Sequence, residues 1–150
     1  VEPYVSEFFK EKISNYTSIN FVNDFIINDY DAAISQDVLE HIEDPIETAF
    51  KIASNVKEGG LVIFADCYHP VIKCHLPSTF YLRHTFKFIM KKMGLDFLGR
   101  IPNAEYALIF RRKKYLDLDA ALSHLNIIKF FGRALNLIWP FASKLKHMFK

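Results

Sequence analysis

The clearest pattern along the chain is a pair of short apolar runs separated by an amphipathic stretch. Ala32, Ala33 and Ile34 form a run too short for a helix and suited to a buried strand. Leu61 to Ala65 form a second run, continuous rather than alternating, as expected where helices cover both faces of a sheet. Between them, Ile46, Ala49, Phe50, Ala53 and Val56 recur at helical spacing and predict one apolar face. Asp44-Pro45 predicts the start of that helix. Asp44 can cap free amides, and Pro45 lacks an N–H where none is needed. Gly59-Gly60 predicts its end, because glycine takes the left-handed C-terminal turn without steric cost. Strand, helix and strand in this order predict a parallel β-α-β unit.

The flanking segments continue the alternation. Val1 to Tyr4 reads as the end of a strand, and Val5, Phe8, Phe9 and Ile13 stripe a following helix. Ile19 to Val22 is a short strand closed by Asn23-Asp24. Ser78 to Met93 predicts a helix with Phe80, Leu82, Phe86, Ile89, Met90 and Met93 inward and Lys87, Lys91 and Lys92 outward, stopped by Gly94. Leu95–Ile101 and Glu105–Arg112 predict a hairpin around Pro102-Asn103-Ala104. From Tyr115 the pattern changes again. Leu122, Leu125, Ile128, Phe131, Leu135 and Ile138 share a helical face, with Asn126, Lys129, Arg133 and Asn136 opposite, until Pro140 breaks the pattern.

Composition narrows the function classes. The 150 residues are 51% hydrophobic with 15 phenylalanines, which excludes a disordered chain and suffices for one core. A net charge of +2 predicts no nucleic-acid partner. Two cysteines make no disulfide framework, so a reduced, cytoplasmic setting is expected. The opening VEPYVSEFF lacks the pattern of a signal peptide, and no stretch is apolar enough for an ordinary membrane span.

Four groups of residues in fixed order carry a family likeness. They are Tyr30-Asp31 at the first apolar run, Asp37-Val38-Leu39-Glu40-His41 after it, Asp44-Pro45 at the helix start, and Lys57-Glu58-Gly59-Gly60 before the second run. The segment resembles class I S-adenosylmethionine-dependent methyltransferases of the type 11/12-like group, over residues 1 to about 112. The resemblance implies an α/β fold with a Rossmann-like sheet, mostly parallel, ending in an antiparallel hairpin. It implies a partial methyltransferase domain at 1–114, and the pattern beyond that core reads as a basic amphipathic helical tail at 115–150. It also implies S-adenosyl-L-methionine as cofactor. Glu2 would bind the ribose hydroxyls, as an ionised carboxylate can. Asp24 would meet the adenine amino group and Phe25 the ring, with Gln36 and Asp37 as further cofactor neighbours. His41 is the candidate general base, with a scaffold role for Glu40 and His41 as the competing reading.

The glycines are Gly59, Gly60, Gly94, Gly99 and Gly132, and none forms the GxGxxG loop of such domains. The expectation is an N-terminally incomplete methyltransferase fragment, weak in cofactor binding on its own. The loop from Asp66 to Thr79 carries Cys67, His69, Cys74 and His75, but their C-x-H-x4-C-H spacing matches no usual zinc pattern, so no metal site is expected. The loop reads instead as a substrate-recognition segment, with His69, His75, Arg83 and His84 as substrate-binding candidates and Arg83 suited to an anionic group. The implied reaction is methyl transfer to an oxygen, nitrogen or carbon of a small molecule such as a sugar, quinone or lipid-linked acceptor. The rival is a non-catalytic remnant or interaction module on the same fold. No acidic residue follows Asp119. The tail therefore suits peripheral contact with a membrane surface or a partner groove, as well as packing on its own core or on a second copy in a homo-oligomer.

Overall fold

The structure, a computed structural model, describes residues 11, 12, 16 and 27–148. Glu2, Asp24 and Phe25, the first predicted helix and the strand at Ile19–Val22 lie outside the described residues. From residue 27 onward the chain forms an α/β arrangement around a four-stranded mixed sheet.

Strand β1 (Tyr30–Gln36) runs parallel to β2 (Val56–Ala65), with Ala33 opposite Val62 and Gln36 opposite Ala65. Helix α1 (Pro45–Asn55) connects them and buries Ile46, Ala49 and Ala53, the stripe read from the sequence. Its ends differ from expectation. Asp44 holds the cap position, but its side chain makes no capping bond; its carbonyl accepts from the Thr48 amide at 3.1 Å. The helix stops at Asn55 and not at Gly59-Gly60. Ser54 and Asn55 turn their side chains back onto the carbonyls of Phe50 and Lys51, both at 2.8 Å, and β-branched, fully buried Val56 already begins the strand. The two glycines serve a bulge instead: the register jumps from Tyr30 opposite Val56 to Ala32 opposite Leu61. A Cβ on Gly60 would meet the Asp31 carbonyl oxygen at 2.6 Å.

Beyond β2 the loop 66–76 leads into a tight turn at Pro77–Thr79 and then helix α2 (Leu82–Met93), which starts later than the expected Ser78. Leu82, Phe86, Ile89, Met90 and Met93 are buried as predicted, while Phe80 is half-buried. Gly94 stops α2 at φ 106°, a left-handed conformation that disfavours side chains, and Tyr115 backbone crosses where a Cβ would stand. Strands β3 (Leu95–Ile101) and β4 (Ala104–Arg112) form the hairpin, with Asn103 left-handed in its turn. β4 inserts antiparallel between β2 and β3, giving the order β1-β2-β4-β3. Among the described residues only the β1–β2 pair is parallel, so the expectation of a mostly parallel sheet is corrected to a mixed one.

The core lies between the sheet and α2. Phe64, Phe86 and Phe110 meet edge to face with centroids 5.3 to 6.2 Å apart, an arrangement the ring quadrupoles favour. Residues after 114 share this core. Helix α3 (Leu118–Leu122), capped by Asp117 onto the Ala120 amide at 2.8 Å, buries Ala121, and Ile128 of α4 (Leu125–Met148) joins the same cluster. The backbone of α4 continues through Pro140 instead of breaking there. It docks on the edge formed by Ile128, Gly132 and Asn136, whose amide donates to the Phe80 carbonyl at 2.8 Å. Of the helical face read from the sequence, Ile128 is buried, whereas Phe131, Leu135 and Ile138 are exposed. No helix among the described residues is long and apolar enough to cross a membrane.

Candidate functional site

Parallel strands deliver their carboxyl ends, and the loops after them, to one edge of the sheet, where open α/β proteins bind ligands. Here the ends of β1 and β2 are tied together by Asp66. Its Oδ1 accepts the amides of Val38 and Leu39, each at 3.0 Å, and the Asp37 amide donates to the Ala65 carbonyl at 3.0 Å. Asp37 takes φ 50°, a left-handed turn that short polar residues tolerate.

A turn at Leu39–His41 then buries Glu40 completely. Glu40 Oε1 accepts the Cys67 amide at 2.9 Å, and its backbone carbonyl accepts the Leu76 amide at 2.9 Å. His41 Nδ1 donates to the Cys74 carbonyl at 3.1 Å, and His75 Nδ1 donates to the His69 carbonyl at 2.6 Å. A carbonyl only accepts, so both rings carry the proton on Nδ1. The D-V-L-E-H turn therefore clasps the loop 66–76 through five bonds from Val38, Leu39, Glu40 and His41.

Burial shapes the charges. Asp66 is pushed up to about 7, first by burial and further by the neighbouring Glu40 charge, against the pull of the Leu39 and Val38 amides. The same burial, with the charges of Asp66 and Glu40, drives the Tyr68 hydroxyl well above its usual value. His69 is lowered by burial and by Arg83, His84 and His75; His84 is lowered by burial and by Arg83, against a bond with Asn136. Both imidazoles are therefore neutral near pH 7.

Two cavities flank this edge. One, of about 440 Å³, is lined by Asp66, His69, Arg83, His84, Lys87 and Arg100 among others. The other, of about 610 Å³, follows the outer edge of β1 past Ser35, Gln36 and Val38. Ser35 Oγ is buried there without a hydrogen bond among the described residues, a polar atom suited to a ligand with hydroxyl or amine groups.

The structure thus gathers His69, Arg83 and His84 in one cavity and sets Gln36 in the other, with exposed Asp37 beside it, its carboxylate 3.4 Å from the Gln36 amide. His75 is buried, and neither it nor His41 lines either cavity. Sequence reasoning missed Asp66, whose signal was an acid placed directly after the apolar run of β2. It also missed, as cavity residues, Lys87, which the helical pattern sets outward, and Arg100 of the hairpin. Comparison with protein-family models and with curated proteins finds no match to this chain.

Proposed function

We propose that the chain works in S-adenosylmethionine-dependent methyl transfer to a small acceptor with an anionic group, on a Rossmann-like methyltransferase sheet. The observation that carries this reading is the β1–α1–β2 unit with β4 inserted antiparallel beside β2, joined to the D-V-L-E-H turn at the ligand-binding edge. The cavity along β1 supports a cofactor role for Gln36 and Asp37, with Ser35 added to them; Glu2, Asp24 and Phe25 complete the set by resemblance. A bound cofactor supplies a methyl group already activated on a sulfonium. The chain's own task is then to hold the acceptor in line and exclude water. Arg83 and Lys87 bring positive charge to the 440 Å³ cavity, where Arg100 is paired with Glu105 at 3.6 Å, and this favours a carboxylate or phosphate on the acceptor. His69 in its wall, kept neutral, can accept a proton from an acceptor hydroxyl, a role better placed for it than for His41.

The exposed side of α4 supports delivery of that acceptor at a lipid surface. Ile127, Phe130, Phe131, Leu137 and Ile138 form an outward apolar stripe, Arg133 lies exposed beside it, and no acid follows Asp119 to repel anionic lipid. The rival reading is a non-catalytic interaction module on the same fold. Incubation with methyl-labelled S-adenosylmethionine and matched anionic and neutral acceptors separates the two. Label in the anionic acceptor, reduced about tenfold or more by Arg83→Ala, supports transfer; cofactor binding without label in any acceptor favours the interaction module.

A further inference from the structure

We propose that Glu40, His41 and His75 form a binding site for a divalent transition-metal ion of the zinc class, which locks the loop 66–76 onto the turn after β1. One ligand atom from each residue lies within 4.8 Å of the other two. The imidazole rings stand edge to face with centroids 5.0 Å apart. This inference rests on these side chains and not on the methyl-transfer reading.

Three features make the cluster more than a chance meeting. First, both rings are oriented by Nδ1–H bonds to backbone carbonyls of the loop, so Nε2 is the nitrogen of each ring left for a metal. Metal-bound histidines are held in this way, with the tautomer fixed by a carbonyl or carboxylate behind the ring. Second, Glu40 Oε2 is fully buried and accepts no hydrogen bond from an N–H donor among the described residues; its polar neighbour, the Asp66 carboxyl, shares a hydrogen bond with it when protonated. No ion pair among the described residues reaches either acid. Buried carboxylates ordinarily take a partner or a metal, and a dication would balance the Glu40 charge. A proton shared between the two acids would satisfy Oε2 but gives the two oriented imidazoles no part. Third, Glu40 and His75 are buried while His41 is exposed, so a bound ion keeps a face open to water.

The donor set selects the ion. Two imidazoles and a carboxylate suit zinc and its first-row neighbours and disfavour magnesium and calcium, which take oxygen ligands. Zinc bonds of about 2.0–2.2 Å require the three side chains to close inward, with the exposed His41 ring pivoting on its bond to the Cys74 carbonyl. Cys67 and Cys74 are not members: only the backbone amide of Cys67 and the backbone carbonyl of Cys74 join the network.

The test uses the full chain, equilibrated with zinc, dialysed against a weak chelator and assayed for retained metal, with cobalt titration as an optical reporter. About one zinc per chain is expected, with a cobalt spectrum of low coordination number. His41→Ala, which alters an exposed side chain and should fold normally, is expected to weaken binding by about 100-fold or more. His75→Ala and Glu40→Gln should do the same, and the double variant Cys67→Ser/Cys74→Ser should bind as the parent does. Zinc should also raise the melting temperature of the parent and not that of His41→Ala. No retained zinc overturns the proposal. So does zinc that survives His41→Ala but is lost in the cysteine variant, which would mean thiols hold it.

Discussion

Asp66 concentrates the electrostatics of the site in one side chain. Its carboxyl, raised from 3.8 to about 7, favours the protonated form in the folded state. The stability it contributes is full below about pH 4, where both states are protonated, and is lost as pH rises towards and through 7. His69 and His84, lowered in the fold, act in the opposite sense: each costs stability as pH falls below its unfolded value near 6.5. The useful quantity is therefore the difference between the parent and Asp66→Asn, measured by urea denaturation from pH 4 to pH 8. The difference should shift steadily in favour of the asparagine variant as pH rises, because asparagine keeps an acceptor for the Val38 and Leu39 amides and carries no charge. A flat difference across that range would show that the Asp66 carboxyl titrates alike in both states. None of this was legible in the sequence. Asp66 and Glu40 stand 26 positions apart and meet only because β1 and β2 pair in parallel at Gln36 and Ala65.

Among the elements, the sequence exposed whatever local pattern decides and hid whatever packing decides. The strands, α1 and the hairpin follow directly from apolar runs and turn residues. The Gly59-Gly60 pair looked like a helix end because a glycine pair at that distance serves equally well for a cap and for a bulge. Only the burial of Val56 against the core separates them. Helix α4 carries two apolar stripes, and periodicity cannot say which docks. The choice falls to Gly132, where the helix approaches Tyr81 so closely that a Cβ would stand 2.5 Å from its carbonyl oxygen. Gly94→Ala should cost about 1–3 kcal/mol in denaturant unfolding, from its positive φ and the crossing Tyr115 backbone. An unchanged midpoint would show that neither constraint acts. Phe130→Glu with Phe131→Glu should abolish flotation with vesicles rich in phosphatidylglycerol, while leaving the fold intact, since both rings are exposed. Persistent flotation, or none in the parent, would assign the stripe to another partner.

Across the whole molecule, the sheet order and the clasped turn organise two cavities around one edge, one along β1 and one under α2 and the hairpin. Division of labour between cofactor and acceptor is the reading that uses both. The cavities are tied to each other through the Asp66 carboxylate, which bonds the turn after β1 and lines the cavity under α2. Methyl transfer stands or falls on whether the β1 side accepts the cofactor. Calorimetric titration of S-adenosylhomocysteine into the chain, with Gln36→Ala and Glu2→Ala in parallel, decides this. Saturable one-to-one binding is predicted, weakened by about tenfold or more in Glu2→Ala through loss of a charge-assisted bond, and weakened also in Gln36→Ala. Absence of binding by the folded chain, or binding indifferent to both substitutions, would remove the cofactor from the β1 side.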